Sequence, residues 1–141
     1  MPAFGTQSLT MLKQVHPQLQ GLLTKVVAIY DIKLLEGSRT VAQQRLNVAK
    51  GVSQTMNSMH IPAADGYSHA VDVAPYPVDW GTTGSPAQKA RAINRFYVLA
   101  GMMFAFASES KVNLRWGGDW DKDWDFSDQT FNDLGHFEIK L

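Results

Sequence analysis

The chain has no cysteine among its 141 residues. Disulfides and thiolate metal ligands are therefore excluded, and any metal site must be built from histidine and carboxylate. Charge of one sign is also lacking, because 13 Lys and Arg balance 13 Asp and Glu. Such a balance gives no electrostatic footprint for nucleic acid or an anionic membrane surface. No apolar run approaches the ~18–20 residues of a membrane span. Residues 1–10 lack the basic stretch and apolar run of a secretory signal, so a start in the cytoplasm is expected. Internal repeats and low-complexity tails are missing too.

What is present suffices for one domain over residues 1–141, since 45% of the residues are hydrophobic and a chain of this size can bury a single core. Ser8 or Thr10 is expected to cap a first helix that stops near His16, with a second starting at Pro17. Ile32 to Leu35 reads as a short buried strand. A helix from about Thr40 is expected to bury Val41, Ala42, Leu46, Val48 and Ala49. Residues 51–66 form a long loop, and 67–74 a strand with Asp72 on the face opposite Val71 and Val73. Pro86 opens the longest helix, with Ile93, Phe96, Leu99, Ala100, Met103 and Phe104 as its buried stripe. Strands over 112–116 and 136–141 complete the pattern. The expected fold is α+β, a small, mostly antiparallel sheet of about four strands packed with helices.

Three segments carry the chemistry: Ser58-Met59-His60, His69-Ala70-Val71-Asp72 and Asp133-Leu134-Gly135-His136-Phe137-Glu138. Imidazoles and a carboxylate from them would hold a zinc ion with a fourth position open. A further carboxylate is needed to take a proton from the attacking water and pass it to a leaving amine. Asp133 is the candidate, placed beside His136 by a tight Leu134-Gly135 turn.

These segments, with Gly37-Ser38-Arg39-Thr40-Val41-Ala42-Gln43, Ala70-Val71-Asp72-Val73-Ala74-Pro75-Tyr76 and Leu114-Arg115-Trp116-Gly117-Gly118-Asp119-Trp120, resemble one family over nearly the full length. It is the zinc D-Ala-D-Ala carboxypeptidase and phage L-alanyl-D-glutamate peptidase family, which includes the vancomycin-resistance dipeptidases. The chain is most similar to its phage endolysins. The resemblance implies His60, Asp72 and His136 as zinc ligands, Asp133 as general base, and Arg39 as a group that binds substrate or stabilises the oxyanion. It implies cleavage of the L-Ala–D-Glu bond of peptidoglycan stem peptides, with D-Ala-D-Ala cleavage or a non-catalytic zinc-stabilised binding module as rivals. It further implies a protein held in the host cytoplasm until a holin releases it to the wall in the periplasm. A monomer is expected.

The chain departs from the family in one respect. His60 precedes Asp72 by twelve residues rather than the family's seven, as though residues 62–66 were inserted. A loop absorbs such an insertion at little entropic cost, yet it leaves His69 and Asp65 as rival first ligands. His69 is offset by three from Asp72, which strand alternation places on opposite faces. Gln43, one turn beyond Arg39, is expected to support it. Ser58 is expected to orient the ligand loop, and Glu138 to act as the partner behind His136. Asp119, Asp121 and Asp123 alternate as in the first half of a calcium loop, but Trp124 stands where such a loop has glycine. Trp116, Trp120 and Trp124 read as packing for this loop, with the lining of a groove for glycan or peptide as the alternative.

Overall fold

The computed structural model describes residues 2–53 and 55–141. Four helices, α1 (Thr6–Leu12), α2 (Pro17–Val27), α3 (Val41–Ala49) and α4 (Pro86–Ser110), accompany four strands, β1 (Ile32–Glu36), β2 (Ala70–Pro75), β3 (Leu114–Gly117) and β4 (Asp133–Ile139). The strands form one sheet in the order β1-β2-β4-β3, antiparallel throughout. This is the α+β architecture expected.

Alternation divides the sheet into two faces. One carries Leu34, Val71, Val73, Leu114, Trp116, Phe137 and Ile139, which join Leu19, Leu22, Leu23 and Val26 of α2 and Leu99, Ala100 and Met103 of α4 in one core. Proline at the first helical position starts both helices. In α4 a capping box between Ser85 and Gln88 fixes the entry, satisfying two otherwise unpaired backbone donors. The other face carries Asp72, His136 and Glu138, with Arg115 opposite Glu138 and Glu36 opposite Asp72.

The observed elements differ from the expected ones at several points. Helix α1 starts at Thr6 after Gly5 with no side-chain cap. Ser8 is instead buried, and its hydroxyl accepts the Leu34 N–H at 3.1 Å, tying α1 to β1. Helix α3 does not bury an apolar face: Val41 and Leu46 are 46% and 51% exposed, and its one buried residue is Gln44. In α4, Ile93 and Phe104 are only partly covered while Ala92 and Ala107 are buried. No turn forms at Leu134-Gly135, which lie within β4.

Candidate metal centre and active site

Asp72 and His136 are directly opposite each other on β2 and β4. His60 joins them from the long loop and is 2% exposed. Its position is fixed by its own N–H donating to Ser58 Oγ at 3.2 Å and its carbonyl accepting the Arg39 N–H at 2.8 Å. Ser58 Oγ thus contacts the backbone of His60 within this loop. Behind His60 lies Gly37, where a Cβ would come within 2.9 Å of the Met11 carbonyl. Only glycine allows this close approach.

The hydrogen bonds fix where the imidazole lone pairs point. His60 Nδ1 lies 2.8 Å from the Gly37 carbonyl oxygen, which can only accept, so Nδ1 carries the proton. His136 Nε2 lies 2.9 Å from Glu138 Oε1, again an acceptor. The inner nitrogens, His60 Nε2 and His136 Nδ1, each sit 3.2 Å from the same oxygen, Asp72 Oδ1. Two lone pairs thus converge on a carboxylate, and a proton or a cation must lie between them. The outer partners are those that orient metal-ligating histidines in general. The donor set suits zinc, and the 3.2 Å separations approach the ~3.3 Å edge of a tetrahedron with ~2.0–2.1 Å arms.

Without a cation the proton takes its place. Burial opposes charge on His136, but hydrogen bonds to Asp72 and Glu138 outweigh it and raise its pKa to about 9. Burial likewise pushes the Asp72 carboxyl up, yet the hydrogen bonds from His136 and His60 hold it well below the usual carboxylate range. Glu138 follows the same pattern: burial is outweighed by its bonds to His136 and Arg115.

Asp133 reaches this site through an irregularity in the sheet. Trp116 pairs with Phe137, but the next residue, Gly117, pairs with Asp133. Residues 134–136 are thus surplus on β4, and such a bulge re-aims side chains. A Cβ at Gly117 would collide with the Asp133 carbonyl, so glycine is required for the two strands to close there. Burial and the charge of Asp72 raise the Asp133 pKa, against the opposing pull of His136, His60 and Arg39. A carboxyl poised upward in this way suits proton transfer.

Arg39 is held by a partner the sequence spacing missed. Its Nε and Nη2 donate to the two Glu36 oxygens at 2.6 and 2.8 Å, and Nη1 donates to Gln44 Oε1 at 2.7 Å and Ser58 Oγ at 3.4 Å. Gln43 is a correction: it is exposed and donates to Asn47. Of the five guanidinium hydrogens, one on Nη2 remains free. Gln44 is fully buried and also donates to Ser53 and Thr55.

The rival ligands gather elsewhere. His69 Nε2 lies 2.8 Å from Asp65 Oδ2, with His16 Nε2 3.8 Å from the same oxygen. His16 Nδ1 accepts the Gln18 N–H as the α2 cap, so its proton is on Nε2, the atom facing Asp65. This cluster supplies its own protons and fits a cation poorly. Between β3 and β4, Asp119, Asp121 and Asp123 place carboxylate oxygens within 4.8 Å of one another. Asp119 accepts the Asp123 and Trp124 N–H groups, and Trp124 has φ 68° where a calcium loop uses glycine. Trp116 is buried and Trp124 packs edge-on against Phe104, whereas the Trp120 ring lies 5.3 Å from that of His136 and borders the site.

Comparison with known proteins places the chain in a family. Over its whole matched length the chain is 31% identical to the L-alanyl-D-glutamate peptidase of Escherichia phage T5, an alignment covering 96% of each. The crystal structure of the L-Ala D-Glu endopeptidase ChiX from Serratia marcescens superimposes with a TM-score of 0.72 at 25% identity, covering 99% of this chain and 91% of that one. Residues 2–140 match the family model described as phage L-alanyl-D-glutamate peptidase, and the chain belongs to that family.

Proposed function

We propose that this protein is an endolysin-type zinc peptidase that hydrolyses the L-Ala–D-Glu bond of peptidoglycan stem peptides, with zinc held by His60, Asp72 and His136. The observation that carries this reading is the convergence of two imidazole lone pairs on Asp72 Oδ1, with both outer nitrogens committed to acceptors. Zinc bound there would polarise the scissile carbonyl and acidify a water. Asp133 takes the proton of the attacking water and delivers it to the departing D-Glu amine. The free Nη2 hydrogen of Arg39 is available to the developing oxyanion, and Glu36 and Gln44 keep the guanidinium from turning away. Metal analysis of the purified protein with a chelator and reload series tests the reading. One zinc per chain, lost and regained together with hydrolysis of L-Ala-γ-D-Glu peptides, is expected, and full activity in metal-free protein would refute it.

Two further outcomes follow from the hydrogen bonds around His136. Glu138→Gln removes the anionic partner behind the ligand and should weaken zinc binding about 10–100-fold, measured by competition with a chromophoric chelator. The raised His136 pKa stabilises the metal-free fold fully below the unfolded value near 6.5, and this contribution disappears as pH rises through about 9. The unfolding free energy of metal-free protein, from urea titration, should therefore fall over that window by at most about 3 kcal/mol. In the same window zinc displaces a proton, so its affinity should rise with pH. A midpoint independent of pH from 6.5 to 9 would contradict the assigned hydrogen bonds.

For Asp119, Asp121 and Asp123 a solvated acidic loop is the favoured reading and calcium the alternative, to be decided by calorimetric titration of wild type against Asp121→Asn. Among the described residues no helix is long and apolar enough to cross a membrane. Membership of a phage family supports a monomer that waits in the host bacterial cytoplasm, passes a holin-opened membrane and acts on the wall in the periplasm. Fractionation of infected cells before and after holin triggering tests that itinerary, and sedimentation tests the monomer.

A further inference from the structure

We propose that Asp65 is a positioning residue of the metal centre: by holding His69 and His16 it fastens the long loop after His60, and so keeps that imidazole at the zinc position. The role rests on the zinc reading above and concerns the one ligand that lies outside the sheet.

The three ligands are not held alike. Asp72 and His136 face each other on paired strands, whereas His60 belongs to a loop and is separated from Asp72 by twelve residues. A loop of that length has many conformations to lose when it is ordered, so it needs bonds of its own. Asp65 supplies them. Its Oδ1 accepts the Tyr67 N–H at 3.0 Å, and its Oδ2 accepts the His69 Nε2 proton at 2.8 Å. His16 Nε2 lies 3.8 Å from the same Oδ2. The Tyr67 N–H first, and the His69 imidazole after it, hold the Asp65 carboxyl below its ordinary pKa. The backbone closes around this carboxylate: the Gly66 N–H donates to the Ala63 carbonyl and the Ala63 N–H to the Tyr67 carbonyl, each at 2.9 Å.

The two imidazoles anchor the loop at different places. His16 is the N-cap of α2, and His69 directly precedes β2. Their rings meet edge-on with centroids 5.2 Å apart, and Tyr67 packs edge-on against His16 at 6.0 Å. Backbone bonds run beside them: the His16 N–H donates to the Ser68 carbonyl and the Ser68 N–H to the Gln14 carbonyl, each at 2.9 Å.

The path from this clamp to the metal centre is short. The His69 N–H donates to the Met59 carbonyl at 3.0 Å, which ties the residue before His60 to the far end of the loop. Ser68 is buried, and its hydroxyl lies 3.2 Å from the Gly37 carbonyl oxygen. That oxygen also accepts the His60 Nδ1 proton. A shift of Ser68 and His69 therefore disturbs both the backbone and the ring partner of His60. Asp65 acts only through them, since its bonds go to Tyr67 and His69 rather than to a ligand. Its side chain is 34% exposed, and surface ion pairs add little to global stability. The effect of removing it is thus confined to the loop.

The test measures zinc affinity by chelator competition in full-length wild type, Asp65→Ala, His60→Ala and the double variant, and amide hydrogen exchange in the metal-free proteins. Asp65→Ala should weaken zinc about three- to tenfold, less than the ~10–100-fold expected when a partner touching a ligand is lost. Asp65→Asn, which keeps an acceptor for the Tyr67 N–H, should lose less. In the His60→Ala background the same change should alter the residual affinity by less than about twofold, because its effect passes through His60. Without metal, the Asp65→Ala urea midpoint should match wild type, while the Arg39 and His69 amides, which donate to the His60 and Met59 carbonyls, should exchange faster. Unchanged zinc affinity in Asp65→Ala, an equal loss with and without His60, or unchanged exchange at both amides would overturn the proposal. Failure of the zinc reading would show separately, as a wild type that binds no zinc, whatever the exchange rates of the metal-free proteins.

Discussion

Asp133→Ala should retain zinc at wild-type stoichiometry while losing hydrolysis by about 10²–10⁴-fold in kcat, the range a positioned general acid–base contributes. The separation of the two readouts follows from the geometry. Asp133 takes no part in the hydrogen bonds among His60, Asp72, His136 and Glu138, so the ligand set survives its removal. Its influence is electrostatic: it senses Asp72, His136, His60 and Arg39 without being tied to any of them. Asp133→Asn is the sharper variant, since it keeps the shape of the bulge beside Gly117 and removes only proton transfer. Wild-type turnover in either variant would eliminate Asp133 as the base. Loss of zinc would mean instead that the carboxylate belongs to the metal site. Because burial raises the Asp133 pKa, activity should fall on the acid side at a pH above that of an ordinary aspartate.

His136→Ala should abolish zinc binding and hydrolysis together. The loss of affinity should exceed the ~10–100-fold expected for removing a partner behind a ligand, because a three-ligand site is reduced to two. The same change has a structural cost in the metal-free protein. His136 bridges Asp72 Oδ1 and Glu138 Oε1 across two strands, and its removal leaves two largely buried carboxylates facing a gap. Breaking such a buried charge arrangement costs about 3–5 kcal/mol, so the metal-free variant should unfold at distinctly lower urea. Glu138→Gln differs by weakening zinc without removing a ligand. The ordering wild type, Glu138→Gln, His136→Ala in zinc affinity is therefore a joint expectation, and an inverted order would show that the ring is oriented by something other than Glu138.

Where local chemistry decides the outcome, the sequence was legible. Pro17 and Pro86 start helices because proline suits a first helical position, and both helices begin there. The alternation of Phe137 and Ile139 against His136 and Glu138 forecast which side chains share the polar face. Alternation set His69 on the face opposite Asp72, and the structure places His69 with Asp65 and His16. The order of strands could not be read this way, since pairing depends on contacts distant in sequence.

The misses have physical causes of the same kind. Helical spacing suggested Gln43 as the support for Arg39, but Arg39 precedes the Thr40 cap and lies outside α3, so the four-residue rule does not apply. The guanidinium reaches Gln44, the single buried residue of that helix, and Glu36, three residues earlier on β1. Apolar residues in α3 read as a core face, yet the helix turns a glutamine inward to serve the arginine network. Asp133 was expected beside His136 through a tight turn. The chain uses a surplus of residues in β4 opposite Gly117, a tertiary feature with no local signal except the glycine itself.

The most direct test of the central claim is digestion of purified Gram-negative peptidoglycan by zinc-loaded protein, with products read by mass spectrometry with and without chelator. The account predicts new peptides beginning with D-Glu and L-Ala left on the muramyl side, abolished by chelator and restored by zinc. Release of terminal D-Ala, or an intact wall in the presence of zinc-loaded protein, would contradict it.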